Sequence, residues 1–269
     1  MAHAIKYTVY IGLVLNFGRF IWDDYWAMEA VLPPDASLND YLTEFATSID
    51  MLGWIGLVFL FELETYAVPD EKWTTWLAGI IRSLRVVCYV MIVQGAYGYT
   101  AETLELYDTH PVDGVSDLCQ IADQGKSTQI SVFEYEEITS ANCKGLSDEN
   151  AFYTVANEVS LIDQPTLDHV RYQGWVNIVN AYVWLIVVWL IEVEVFLQKR
   201  DRFQNRALNR VRVSKTFFYL VLIGVMLVWL FTGYYLYAWD AFLWIFGFWA
   251  IELNLAEWEQ ERKEALLAT

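Results

Sequence analysis

The stretch WIGLVFLFELE, residues 54–64, is apolar enough to lie in a lipid bilayer, yet it ends in two carboxylates, Glu62 and Glu64. Nearly the same pattern returns as WLIVVWLIEVE at residues 184–194 and as WIFGFWAIELN at residues 244–254. Each copy begins with Trp, has Glu eight positions later, and is preceded by Asp or Asn four positions before the Trp. Self-similarity of this kind is the sequence signature of a structural repeat.

The aligned copies share a polar residue, a Trp, an aromatic residue, a Glu and a final acid or amide. In that order, the positions are Asp50, Asn180 and Asp240; Trp54, Trp184 and Trp244; Phe59, Trp189 and Trp249; Glu62, Glu192 and Glu252; and Glu64, Glu194 and Asn254. The intervening helices keep the same spacing, since Arg85 lies 23 residues after Glu62 and Lys215 lies 23 residues after Glu192. We therefore predict three helical hairpins in series.

The composition places the chain in the membrane class. Of its 269 residues, 56% are hydrophobic and 17% are aromatic, and they occur in runs of the roughly 20 residues that cross a hydrocarbon core. We predict an all-α integral membrane protein with six transmembrane helices, at about residues 5–27, 48–67, 76–99, 170–198, 214–238 and 240–257. The last two are expected to join at a tight turn in YAWDAF, residues 237–242.

The predicted organisation has three parts. Residues 1–99 hold the first hairpin and the third span, residues 100–168 form an acidic loop, and residues 169–269 hold spans four to six with an acidic C-terminal tail. The linker 198–215 carries seven Lys or Arg against one acid, whereas the acidic loop contains only two Lys. Because basic loops tend to stay on the cytoplasmic side, we expect both termini in the cytoplasm and the acidic loop outside.

The acidic loop is expected to fold as a small extracytoplasmic cap on the helices. In an oxidising compartment its two cysteines, Cys119 and Cys143, would pair as a disulfide. STQISVFEYEEIT, residues 127–139, alternates as a strand pair would. SDENAFYTVANEVSLI, residues 147–162, is interpreted as a short helix with Ser147 as its N-cap.

The depth of the repeated Glu residues favours a role in cation transport. With a rise of about 1.5 Å per residue, Glu252 lies about 18 Å from the outer turn at Asp240, still inside a bilayer. Three copies around a common axis would form one ring of Glu and a second ring of Asp and Asn, and acidic rings select cations. The sequence therefore predicts a channel or transporter for H⁺, Na⁺ or Ca²⁺. Its predicted ion pathway comprises Glu62, Glu192, Glu252, Asp50, Asn180 and Asp240.

The main alternative gives the same acids a structural role. Residues two apart on a helix point about 200° apart, so Glu64 and Glu194 face away from Glu62 and Glu192, towards the basic end of a neighbouring helix or the inner headgroup level. This interpretation describes a non-conducting subunit that assembles a larger membrane complex, and a third alternative is a sensor whose outer loop binds a ligand. The predicted ion-pair residues are Glu64, Glu194, Arg82, Arg85 and Lys215, with Trp54, Trp184 and Trp244 in aromatic belts.

Other functional classes find little support in the sequence. The net charge of −17 disfavours nucleic acid as a partner. His3, His110 and His169 lie outside the predicted spans, and we find no metal-ligand cluster, phosphate-binding glycine loop or nucleophile motif. We expect no enzyme activity, cofactor or metal site. The expected partners are the lipid bilayer, inorganic cations, and further copies of the chain or other membrane subunits, in the inner membrane of a bacterium.

Overall fold

A computed structural model describes residues 2–64, 74–156, 158–199 and 205–249 of the chain, which is mostly helical. The helices are α1 (Ala2–Val31), α2 (Leu38–Glu44), α3 (Ala46–Glu62), α4 (Thr75–Glu105), α5 (Cys143–Leu146), α6 (Gln164–Lys199), α7 (Asn205–Phe231) and α8 (residues 235–249). The strands are β1 (Thr109–Pro111), β2 (Ser127–Ser131), β3 (Glu134–Glu137), β4 (Phe152–Val155) and β5 (Ile162–Asp163).

Three of the described helices are long and apolar enough to cross a membrane: Thr75–Glu105, Gln164–Glu194 and Arg206–Phe231. The pair α2 and α3 would make a fourth span with a bend of 67° between its parts. Residues 76–99 lie within α4, so the predicted third span corresponds to a helix that can cross a bilayer. The full set of six spans stays a prediction.

The turn after α7 lies earlier in the chain than the sequence pattern indicates. Residues 232–234 interrupt the helices, and Gly233 has a φ of +91°, which residues with a Cβ rarely adopt. The prediction of a turn in YAWDAF, residues 237–242, is wrong, because these residues belong to α8. A glycine just past the last helical residue commonly ends a helix. Here Gly233 sets the position of the turn, although the polar Asp240 had suggested a later one.

Internal contacts divide the chain into two compact units. The cap-bearing unit is Phe17–Ala181, and the terminal unit combines Met1–Asn16 with Tyr182–Thr269. Both α1 and α6 contribute residues to each unit.

The cap comprises residues 106–163, because α4 continues to Glu105 and α6 begins at Gln164. It contains two small antiparallel sheets, one with the strand order β1-β4-β5 and the other formed by β2 and β3. The predicted disulfide between Cys119 and Cys143 is confirmed. Its second cysteine belongs to a buried apolar core that consists of Leu118, Ile121, Ile138, Cys143, Phe152 and Leu161.

One of the two predictions for the cap segments is confirmed and the other is wrong. The strand pair predicted in residues 127–139 is present as β2 and β3. The helix predicted to start at Ser147 is absent, since residues 152–155 form β4. Phe152 and Val155 are 2% and 1% exposed, and aromatic and β-branched residues pack well on a half-buried sheet. Ser147 instead donates a hydrogen bond to Asp163, the last residue of β5, which directly precedes α6.

Glycines allow α3 and α4 to pack closely within the cap-bearing unit. A Cβ placed on Gly53 would lie 2.9 Å from the carbonyl oxygen of Cys88, and one on Gly98 would lie 2.5 Å from the Cβ of Ala46. Small residues at such contacts are typical of helices that associate in membranes. The close packing fixes the position of each α3 side chain along the length of α4.

Candidate functional site

Five carboxylates of the cap-bearing unit lie close enough to interact electrostatically, and they are named here the acidic cluster. They come from α1 (Asp24), α2 (Glu44), α4 (Glu102 and Glu105) and the cap (Glu158). The Glu44 carboxylate is repelled by the other four, and the Glu102 carboxylate by Asp24, Glu105 and Glu158. The charges that act most strongly on these two residues are all negative.

The local sequence of α2 places Glu44 in this cluster. Ser37 is the N-cap, and its hydroxyl accepts a hydrogen bond from the Asp40 amide at 3.3 Å. The Asp40 carboxylate accepts one from the Ser37 amide at 2.7 Å. This reciprocal capping box starts the helix, which then ends at Glu44. Thr43 and Glu44 are therefore held at the bend between α2 and α3.

The end of α4 is fixed by α6. Glu102 and Glu105 are three residues apart, so they share one face of α4. Arg171 of α6 donates hydrogen bonds from Nε and Nη2 to the Leu106 carbonyl oxygen, at 3.0 and 2.8 Å. A cation at a helix C-terminus satisfies the last carbonyl groups and complements the helix dipole. The two acids thus stand on a well-anchored helix end.

A cavity of about 60 Å³ opens beside the cluster. Its polar lining consists of Asp40, Thr43, Glu44, Glu105 and Glu158. Thr43 is only 4% exposed, and its hydroxyl oxygen has no hydrogen-bond partner. Because an unpaired buried polar group is costly and uncommon, the hydroxyl indicates that the cavity accommodates a polar species.

Two cap residues, Glu158 of the cluster and Tyr135 near it, have raised pKa values. Burial raises the pKa of Glu158 to about 7, and the Glu105 charge adds to the effect, while a hydrogen bond from the Ser160 hydroxyl at 3.1 Å opposes it. Burial and the nearby carboxylates also raise the pKa of Tyr135. The Tyr135 phenol therefore stays protonated at neutral pH and remains a hydrogen-bond donor.

Tyr99 connects the acidic cluster to a further acid inside the helices. It lies on α4, is hydrogen-bonded to Thr47 of α3, and interacts with the charges of Asp50, Asp24 and Glu102. Tyr99 is therefore within electrostatic reach of both the cluster and Asp50.

Asp50 packs directly against α4 and is held by a neighbour on its own helix. A Cβ on Gly95 would lie 2.5 Å from the Asp50 Cβ, so only glycine fits at that position. The Asp50 carboxylate accepts a hydrogen bond from Trp54 Nε1 at 3.1 Å. Gly95 and Glu105 are ten residues apart, which corresponds to about 15 Å along α4.

The second acids of two repeat copies form ion pairs. Glu194 accepts hydrogen bonds from Lys215 Nζ at 2.7 Å and from Arg212 Nε at 2.9 Å. Glu64 pairs with Arg85. The Glu64–Arg85 and Glu194–Lys215 pairs have the same separation of 21 residues. Two copies of the repeat thus share a contact as well as a sequence pattern.

A second local arrangement also recurs. Asp50 accepts a hydrogen bond from Trp54, and Asp240 accepts one from Trp244, each four residues later in the chain. Asp240 additionally accepts a hydrogen bond from Asn16 Nδ2 of α1 at 2.8 Å. Trp54 and Trp244 are 7% and 8% exposed, so both lie inside the protein.

The remaining members of the predicted set have varied surroundings. Trp184 is 7% exposed and packs on Phe248 with a ring-centroid distance of 5.3 Å. Asn180 has a buried Oδ1 without a hydrogen-bond partner. Arg82 is exposed.

The predicted ring of Glu residues remains a prediction. Glu62 is half-buried and Glu192 is exposed. Glu252 lies outside the described residues. Among the residues that are described, no three His, Cys, Asp or Glu side chains are grouped as direct ligands for one metal ion.

The acidic cluster is the part of the site that the repeat pattern does not indicate. Its members lie far apart in sequence, so no local motif contains them. The available signal was the pair Glu102 and Glu105, two acids on one face at the end of an apolar helix. No protein-family model, curated protein or solved structure matches the chain.

Proposed function

We propose that the protein is a membrane cation channel or transporter, and that the proton is the cation its carboxylates fit best. The proposal is carried by one observation, the series of interacting ionisable groups that leads from the cap to Asp50 in the first turns of α3. The series comprises the five carboxylates of the acidic cluster, Glu158, Glu105, Glu44, Glu102 and Asp24, and continues through Tyr99 to Asp50.

The environment of the series favours exchange of protons. Ionisable groups among membrane helices are energetically unfavourable, and in known membrane proteins they mark ion pathways and proton relays. Carboxylates that repel one another titrate as a group, because each proton that binds changes the affinity for the next. A series of this kind can take up a proton at the cap and pass it inwards.

The helix α3 offers a continuation beyond Asp50. Glu62 lies twelve residues further along α3, which corresponds to about 18 Å. Both Asp50 and Glu62 are positions of the predicted ion pathway. We therefore propose that one repeat copy, together with the acidic cluster, supplies the pathway within the cap-bearing unit, whether or not the three copies form a ring.

The decisive experiment measures proton flux into liposomes that contain the purified full-length protein and a pH-sensitive dye. We expect flux in the wild type, and we expect Asp50→Asn and Glu102→Gln each to reduce it to the level of empty liposomes. Asp148→Asn and Glu149→Gln are the matched controls, since both acids are exposed in the cap, and they should conduct as the wild type does. A wild type without flux, or flux that survives both pathway substitutions, would contradict the proposal.

A non-conducting assembly subunit is the second candidate, and the repeated aromatic position favours it. Phe59, Trp189 and Trp249 are 61%, 63% and 54% exposed. Large aromatic side chains that protrude at the same position of each copy suit contact with neighbouring subunits as well as with lipid. This candidate predicts that the protein purifies in mild detergent with other membrane proteins, that native mass measurement gives a mixed complex, and that the isolated chain conducts no ions.

A further inference from the structure

We propose that the cavity beside the cap binds a divalent cation that keeps part of its hydration shell. The cavity shares Glu44, Glu105 and Glu158 with the proposed pathway, but the binding does not depend on transport. The ligand class is a hard cation such as Mg²⁺ or Ca²⁺, which prefers oxygen donors.

The charge of the lining supports a cation as the occupant. Four carboxylates line the cavity, from Asp40, Glu44, Glu105 and Glu158, and its described lining contains neither Lys nor Arg. Like charges at this proximity disfavour the ionised state of one another unless a proton or a cation is shared between them. A divalent ion would offset two of the four charges at once.

The Thr43 hydroxyl is an independent sign of a ligand. It lines the same cavity, belongs to a side chain that is 4% exposed, and has no hydrogen-bond partner. A hydroxyl oxygen can bind a cation directly or accept a hydrogen bond from a water molecule bound to the cation. Either contact would satisfy the group.

The size of the cavity matches a partly hydrated ion. A cavity needs at least roughly 10–15 Å³ to hold one water molecule, so the cavity of about 60 Å³ has room for an ion together with a small number of water molecules. Among the described residues no three acids are grouped as direct ligands, so the carboxylates would have to contact the ion through its water molecules. Mg²⁺ in particular keeps several waters when it binds to proteins.

The position of the cavity gives the cation a structural consequence. Its walls come from the end of α1, from α2 and α4, and from Ala156 and Glu158 of the cap. A cation there would bridge the cap to the helix ends and relieve the repulsion between Glu158 and Glu105. Binding should therefore stabilise the folded protein, because a ligand that binds only the folded state raises its stability.

The test uses purified full-length protein that has been treated with a chelator. Thermal unfolding is followed during addition of Mg²⁺ or of Ca²⁺, with Na⁺ at the same ionic strength as the control for screening. We expect either divalent ion to raise Tm by several degrees more than Na⁺ does, and we expect saturable binding by isothermal titration calorimetry.

Substitutions assign the effect to the cavity. Thr43→Val and Glu158→Gln should each weaken divalent binding by about tenfold, the equivalent of one good hydrogen bond to a charged group. In the presence of chelator, Thr43→Val should not lower Tm, because the hydroxyl has no partner to lose, and this separates loss of a ligand from loss of the fold. Glu149→Gln is the control and should bind as the wild type does.

The outcomes distinguish this inference from the proposed transport. A divalent effect no larger than that of Na⁺, or wild-type binding by both cavity variants, would overturn the cation site. Protein that binds the ions in the cavity but conducts no protons would leave the site in place and remove the transport proposal. Protein that conducts protons but shows no divalent binding would remove the cation site and leave the transport proposal in place.

Discussion

Glu194 lies on α6 and Glu158 lies in the cap, neither is fully exposed, and the charges around the two glutamates have opposite signs. In the terminal unit, Glu194 is 9% exposed and lies between the cationic groups of Lys215 and Arg212. In the cap-bearing unit, Glu158 belongs to a cluster in which the strongest interacting charge, that of Glu105, is also negative. A paired acid keeps one charge state and holds helices together. A clustered acid must share a proton or a cation, so it is suited to binding and exchange.

The largest expected effect comes from neutralising the paired acid. Glu194→Gln would remove the carboxylate that pairs with both the Lys215 and the Arg212 cations. Removal of one partner from a buried pair is strongly destabilising, and with Arg212 half-exposed we expect a loss of roughly 2–3 kcal/mol in the free energy of unfolding. Chemical denaturation in detergent would measure it. The double variant Glu194→Gln/Lys215→Met should recover part of the loss. Unchanged stability of the single variant would contradict the claim that the paired acid holds the helices together.

Neutralising the clustered acid Glu158 should change the stability in the opposite direction and raise it at alkaline pH. The pKa of Glu158 is raised by burial from 4.5 to about 7, so the folded state binds this proton more tightly than the unfolded state does. Its favourable contribution is complete below pH 4.5 and is lost as the pH rises through 7. Glu158→Gln should therefore unfold like the wild type near pH 4 and be more stable by on the order of 1 kcal/mol at pH 8.

Thermal unfolding in chelator across this pH range is the measurement for Glu158→Gln. Chelator is needed because a bound divalent cation would mask the repulsion. A variant that is less stable than the wild type at pH 8 would show that Glu158 has a favourable partner, which would place it with Glu194 on the other side of the comparison.

The smallest effect is expected for the equivalent acid of the preceding repeat copy. The Arg85 and Glu64 side chains are 34% and 43% exposed, against 12% and 11% for Lys215 and Glu194. Exposed ion pairs contribute about 0–1 kcal/mol, so Glu64→Gln should change the unfolding free energy by less than Glu194→Gln does. Equal losses in both variants, measured by the same denaturation, would show that exposure does not decide the strength of these pairs.

Sequence patterns with local causes predicted a good part of the fold. The apolar run at 76–99 corresponds to α4, the alternation at 127–139 to β2 and β3, and the cysteine pair to a disulfide. Sequence patterns predicted the wrong structure where contacts between residues far apart in the chain determine it. The segment from Ser147 has a helix start signal, yet burial of Phe152 in the cap core makes it a strand.

The candidate site was predictable only in part, for the same reason. Asp50 was found because it recurs in the repeat, and its sequence neighbours fix its depth in the helix. Thr43, Glu44 and Glu158 come together through the bend after α2 and the folding of the cap. No spacing in the sequence indicates these contacts. A threonine hydroxyl without a hydrogen-bond partner can be recognised only in the folded structure.

The contact between Gly95 and Asp50 has a consequence for how this protein can vary over evolution. Position 95 has no room for even a methyl group while an aspartate occupies position 50. The two positions should therefore change together in descendants of this sequence, with alanine at 95 tolerated only after residue 50 has shrunk or moved. In a distant homologue, loss of the glycine would then indicate that the acid equivalent to Asp50 has been lost as well.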